Sequence, residues 1–114
     1  MGFCYGGPYA LIGTARLGLD MGFAYHGTDM GNYIADLEGN QKPLLIHWGS
    51  EDHAAPAELV AQYQEFAAKM DNLTLHIFPG VKHGYMMTTS PAAYDAGAFQ
   101  HSWNATLAML DRLK

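Results

Sequence analysis

"PLLIHWGSEDHAAP", residues Pro43–Pro56, changes character twice and sets the fold. Pro43 to Gly49 is a near-continuous apolar run, the pattern of a strand buried on both faces. Ser50 to Ala55 is a polar loop. From Pro56 to Met70 the apolar residues Leu59, Val60, Tyr63, Phe66 and Ala67 recur at helical spacing, with Gln62 and Glu65 on the other side. A strand covered on both faces and followed at once by a helix belongs in a parallel sheet.

Working outward, the same alternation repeats. "LTLHIFPG" (Leu73–Gly80) reads as a strand closed by Pro-Gly, and "LDMGFAYH" (Leu19–His26) as a strand ended by Gly27. Pro8 to Arg16 reads as a short helix, proline being tolerated in a first turn where its missing N–H costs nothing. Thr28 to Leu37 is weak helix or loop. A last helix covers about Tyr94 to Leu113, with Phe99, Trp103, Leu107 and Leu110 as its apolar stripe. No linker, repeat or low-complexity tract interrupts the chain, so residues 1–114 are expected to form one compact domain. In such sheets reactive groups gather on loops beyond the strand C-termini.

Bulk composition narrows the partners. Hydrophobic residues make up 49% of the chain and charged residues 15%, too lean in charge for disorder and a sign that some surface is covered by another subunit. The net charge of −5 and the lack of a basic run argue against nucleic acid and anionic membranes. One cysteine rules out an internal disulfide and fits a reducing compartment. With no signal peptide and no membrane-length apolar run, a cytoplasmic protein is expected.

Three loops carry chemistry. The first is Gly2-Phe3-Cys4-Tyr5-Gly6-Gly7, a Gly-x-Cys-x-Gly frame of the nucleophile-elbow type, with almost no chain before it to form a strand. Small residues two places either side of Cys4 would let the backbone bend, the following helix dipole would lower the thiol pKa, and the Tyr5 N–H would be one oxyanion donor. The second loop offers Asp52 to orient a histidine; the plainer reading is that Asp52 or Ser50 caps the helix beginning near Pro56. The third, Pro79 to Gly84, carries His83, a general base or an ordinary loop histidine. Cys4, Asp52 and His83 each follow their own strand, in the chain order of the α/β-hydrolase triad, and jointly they favour the catalytic reading.

At "GFCYGG", "YHG" (Tyr25–Gly27), "PLLIHWGSEDHAAP" and "FPGVKHGY" the sequence resembles the dienelactone hydrolase family of α/β-hydrolases, matching the C-terminal half of such enzymes. The resemblance implies a truncated α/β-hydrolase-like fold of about three mainly parallel strands with flanking helices. It implies Cys4 as nucleophile, Asp52 as acid, His83 as base and a substrate pocket involving Tyr25, Tyr85 and Met87. Where family members carry a carboxylate-binding arginine after the histidine, this chain has Met87.

His26, His47, His53 and His76 invite a metal reading, but no His-Glu-x-x-His run or paired cysteines appear, and neither metal nor cofactor is expected. The expected function is hydrolysis of small-molecule esters or lactones through a thioacyl intermediate. The alternatives are a non-catalytic self-associating hydrolase remnant and a fragment of a longer enzyme. A sheet lacking its elbow strand would leave the Leu19–His26 edge open, so a homodimer or higher homo-oligomer is expected.

Overall fold

The computed structural model describes residues 1–113; Lys114, the last residue of the expected domain, lies outside the described residues. The chain runs β1 (Gly2–Phe3), α1 (Gly7–Arg16), β2 (Gly22–Tyr25), α2 (Ile34–Gly39), β3 (Leu44–Gly49), α3 (Ala57–Lys69), β4 (Leu73–Phe78) and α4 (Ala96–Leu110). The four strands form one parallel sheet in the order β1-β2-β3-β4.

The sheet thus has one strand more than the sequence patterns showed. β1 is only two residues long, below the length at which periodicity can be read, yet it pairs Gly2 with Ala24 and Phe3 with Tyr25. The edge of β2 is therefore half covered rather than open. β2 itself is shorter than expected, because Leu19 is tied back to α1 rather than to the sheet: its N–H donates to the Gly13 carbonyl at 3.1 Å.

Side chains alternate across the sheet, as strand geometry requires. Ala24, Leu44, Ile46 and Trp48 face α1, α2 and α3, where Leu11, Leu37 and Tyr63 complete a fully buried layer. Deleting a side chain the size of Trp48 from such a layer costs about 3–5 kcal/mol. The Trp48 indole N–H donates to the Gly27 carbonyl and the Tyr63 hydroxyl to that of Met30, fixing the segment after β2 onto this layer.

Phe23, Tyr25 and Leu45 face the other way, against Val81, Tyr85, Met86 and α4. Helix α4 starts where Asp95 accepts the Ala98 N–H at 2.8 Å, a side-chain N-cap. It docks on a different face from the one the sequence indicated. Ala98, Ser102, Thr106 and Met109 are buried, whereas Phe99, Trp103 and Leu110 are half-buried and Leu107 is exposed. The reason is polar: Ser102 pairs with the Tyr85 hydroxyl at 2.7 Å and Thr106 with the Tyr25 hydroxyl, so two phenols are satisfied inside the core.

Candidate active site

Each strand delivers one ionisable side chain to the same end of the sheet. Cys4 follows β1 directly, His26 follows β2 directly, Asp52 lies just past β3, and His83 lies on the loop after β4. Parallel strands put all four C-termini on one side, which is why residues so far apart in sequence meet.

Cys4 sits at the start of a 3₁₀ turn, Cys4–Gly6, with φ 52°. Its neighbour His26 has φ 40°. Both are in the left-handed region that non-glycine residues avoid, at about 1–3 kcal/mol each. The turn is tight: a Cβ on Gly2 would lie 1.8 Å from the Gly6 carbonyl oxygen, so that position admits only glycine. A Cβ on Gly6 itself would meet nothing, so only one of the two small residues flanking Cys4 is sterically required.

His83 reaches the group because its loop folds over the end of β3. Glu51 N–H donates to the Val81 carbonyl at 3.0 Å, and Ser50 Oγ accepts the Gly80 N–H at 2.8 Å. A Cβ on Gly49 would lie 2.0 Å from the Val81 oxygen, so the close passage of this loop depends on the glycine. Neither Ser50 nor Asp52 caps α3, whose first turn has no side-chain cap, and the plainer reading of these residues falls away. Asp52 is buried. Its carboxylate accepts the Ala54 N–H at 2.7 Å and faces His83 Nδ1, 3.0 Å from each oxygen. A buried carboxylate needs such partners. The proton of His83 therefore belongs on Nδ1, leaving Nε2 as an acceptor.

Cys4 Sγ lies 3.3 Å from His26 Nδ1, and one ligand atom each from Cys4, His26 and His83 falls within 4.8 Å of the others. The His26 and His83 rings meet edge to face at 5.1 Å, and the exposed His53 ring lies 4.9 Å from His83. Burial holds His26 neutral, its pKa lowered to about 4 with the neighbouring His83 pushing the same way. The thiol moves opposite to the sequence expectation. Burial, reinforced by the negative charge of Asp52, raises the Cys4 pKa, so any pull from the helix behind it is outweighed. The resting group is a thiol.

The remaining expected residues are placed unevenly. The Tyr5 side chain is exposed, and the residue follows Cys4 within the turn. Tyr25 is wholly buried, stacked between Phe3 and His47, and Tyr85 is wholly buried beneath His26. Met87 is exposed on the loop after His83. No local pattern in the sequence sets His26 beside Cys4. Its signal was its position, directly after a strand, as Cys4 is.

Comparison with known proteins agrees with the architecture. The dienelactone hydrolase family profile matches residues 1–113. Carboxymethylenebutenolidase 1 of Cupriavidus pinatubonensis is 29% identical over 114 residues, covering 100% of this chain and 48% of that protein. The hydrolase pyvD of Aspergillus violaceofuscus is 31% identical over 88 residues, 75% of this chain and 34% of that one. The chain spans half or less of the length of the curated relatives it matches. A putative dienelactone hydrolase from Klebsiella pneumoniae superposes with a TM-score of 0.76 at 19% identity, over 94% of this chain and 48% of that one. A dienelactone hydrolase-like promiscuous phosphotriesterase from metagenomic libraries gives 0.77 at 22%, over 98% and 50%. A parallel sheet with a cysteine at the turn after β1 and a family match running along the described chain lead to one conclusion: the chain belongs to the dienelactone hydrolase family.

Proposed function

We propose that the chain carries the cysteine, histidine and aspartate of an ester or lactone hydrolase working through a thioacyl intermediate. The observation that carries this reading is the line from Cys4 to His83 to Asp52, with His83 Nδ1 3.0 Å from the carboxylate and a ligand nitrogen of His83 within 4.8 Å of Sγ. The thiol turns from His26 toward His83 Nε2, which takes its proton as sulfur attacks the acyl carbon. Asp52 stabilises the resulting imidazolium. The oxyanion receives the Tyr5 N–H, and the carbonyl re-forms as the alcohol leaves with the proton from His83. Water, deprotonated by His83, then attacks the thioester and releases the acid, restoring the thiol.

Because the resting thiol is neutral, proton transfer accompanies attack rather than preceding it. Met87, exposed beside the His83 loop, meets the acyl group, while Tyr25 and Tyr85 support the site from beneath. With a methionine rather than an arginine there, the reading favours small uncharged esters over carboxylate-bearing lactones. Hydrolysis of short activated acyl esters, with Cys4→Ala and His83→Ala as controls, tests it: both variants should lose turnover, and a wild-type rate in either would refute the assignment.

A second reading rests on a separate observation. Leu107 and Phe3 are exposed, and Trp103 and Phe99 are only half-buried on the α4 side of the sheet. Apolar side chains on this side are what a self-association face would use. Self-association through it is tested by sedimentation: Leu107→Lys should shift the distribution toward monomer, and a wild-type monomer at all concentrations would exclude it. No helix among the described residues is long and apolar enough to cross a membrane.

A further inference from the structure

We propose that Cys4, His26 and His83 form a binding site for a thiophilic divalent cation of the zinc class, and that an ion bound there holds the protein inactive. The ligands come from three strand ends, so no sequence motif announces them. One ligand atom from each lies within 4.8 Å of the others. In a tetrahedral site with metal–sulfur and metal–nitrogen bonds of about 2.3 and 2.0 Å, neighbouring ligand atoms stand about 3.5 Å apart. The Cys4 Sγ to His26 Nδ1 separation of 3.3 Å is already close to that spacing. Only His83, on a loop, has to close by a side-chain rotation.

The surroundings of these groups are those of a ligand set. Asp52 at 3.0 Å fixes the proton of His83 on Nδ1 and turns the Nε2 lone pair inward, the carboxylate–histidine arrangement that orients metal-bound imidazoles. His26 is wholly buried, its ring held edge-on against Tyr85 with Nδ1 turned to the Cys4 sulfur. Cys4 and His83 are half-buried, which leaves the ion a path from solvent. One soft sulfur with two imidazoles selects zinc or its congeners over magnesium or calcium. Three protein ligands leave the fourth position to water.

Binding replaces the thiol proton by the metal and releases that proton to solvent; nothing is oxidised or reduced. The ion occupies the sulfur lone pair and the His83 Nε2 lone pair together. Inhibition follows only if the proposed hydrolase reading is right, whereas binding stands on the geometry alone.

The test uses the full chain, freed of metal by a chelator that is then removed. Cobalt(II) serves as the spectroscopic probe. One equivalent per chain should give a thiolate-to-cobalt charge-transfer band that zinc bleaches, and zinc should slow alkylation of Cys4 by iodoacetamide by about tenfold or more. Cys4→Ser should lose the band. His26→Phe, which keeps a ring in the buried slot, should weaken cobalt binding, and Asp52→Asn should weaken it by about 10–100-fold, each with an unchanged circular-dichroism spectrum. Absence of the band, a band that survives Cys4→Ser, or an alkylation rate indifferent to zinc would overturn the site. Ester hydrolysis measured with chelator present separates the two readings. Turnover without metal binding sinks this inference alone; metal binding without turnover sinks the hydrolase reading alone.

Discussion

Cys4 Sγ stands 3.3 Å from Nδ1 of His26, and the two residues end neighbouring strands with φ values of 52° and 40°. The register of β1 on β2, with Phe3 opposite Tyr25, places these two strained residues side by side. The thiol at rest thus faces a neutral imidazole that no carboxylate among the described residues bonds, while His83, bonded to Asp52, offers a ring nitrogen within 4.8 Å.

That difference predicts unequal roles for the two histidines. His83→Ala should cut kcat/KM for an activated ester by about 100- to 10,000-fold, the range of a lost general base. His26→Phe, assayed with chelator present, should stay within about tenfold of wild type. Equal losses would mean that His26 is the base.

Asp52→Asn keeps an acceptor for the Ala54 N–H but cannot stabilise a cationic His83. Activity should fall by about three to four orders of magnitude, with a melting temperature close to that of wild type. A variant that melts early and turns over normally when cold would make Asp52 a structural residue only.

These residues were unequally legible. β3 and α3 announce themselves because their cues are local: an unbroken apolar run in Leu44–Gly49, and helical spacing from Leu59 to Ala67. β1 does not, since two residues hold no period and exist as a strand only through pairing with β2. The docking face of α4 is hidden in the sequence because Ser102 and Thr106 look like solvent-facing residues; their partners, Tyr85 and Tyr25, are brought to them by the fold. That Cys4, Asp52 and His83 come to one end of the sheet is legible from loop positions and chain order. The approach of His26 to Cys4 depends on strand register, which no stretch of sequence encodes alone.

Gly49→Ala should test how the His83 loop is held. Its Cβ would collide with the Val81 carbonyl at 2.0 Å, a backbone atom that cannot step aside without moving the loop. We expect a loss of about 1–3 kcal/mol in urea unfolding together with reduced turnover. Unchanged values for both would show that the loop passes elsewhere.

Acid should destabilise the fold through His47. This residue is wholly buried on β3, and burial lowers its pKa from 6.5 to about 3, with His76 adding to the effect. Its folded pKa lies below its unfolded one, so the unfolded chain takes up the proton first. The contribution is complete above pH 6.5 and is lost as pH falls from there toward 3, by up to about 1.4 kcal/mol per pH unit. His47→Phe keeps a ring in the stack between Tyr25 and Phe78 and should flatten this slope in urea titrations. An identical slope would assign the acid sensitivity to other groups.

Whether Cys4 carries the acyl group is decided by peptide mapping by mass spectrometry after rapid acid quench of the metal-free chain with a short activated ester. An acyl group should appear on the peptide bearing Cys4, formed and lost at rates compatible with turnover and absent in Cys4→Ala and His83→Ala. Turnover at wild-type rate in Cys4→Ala, or steady turnover with the acyl group carried on another residue, would contradict it.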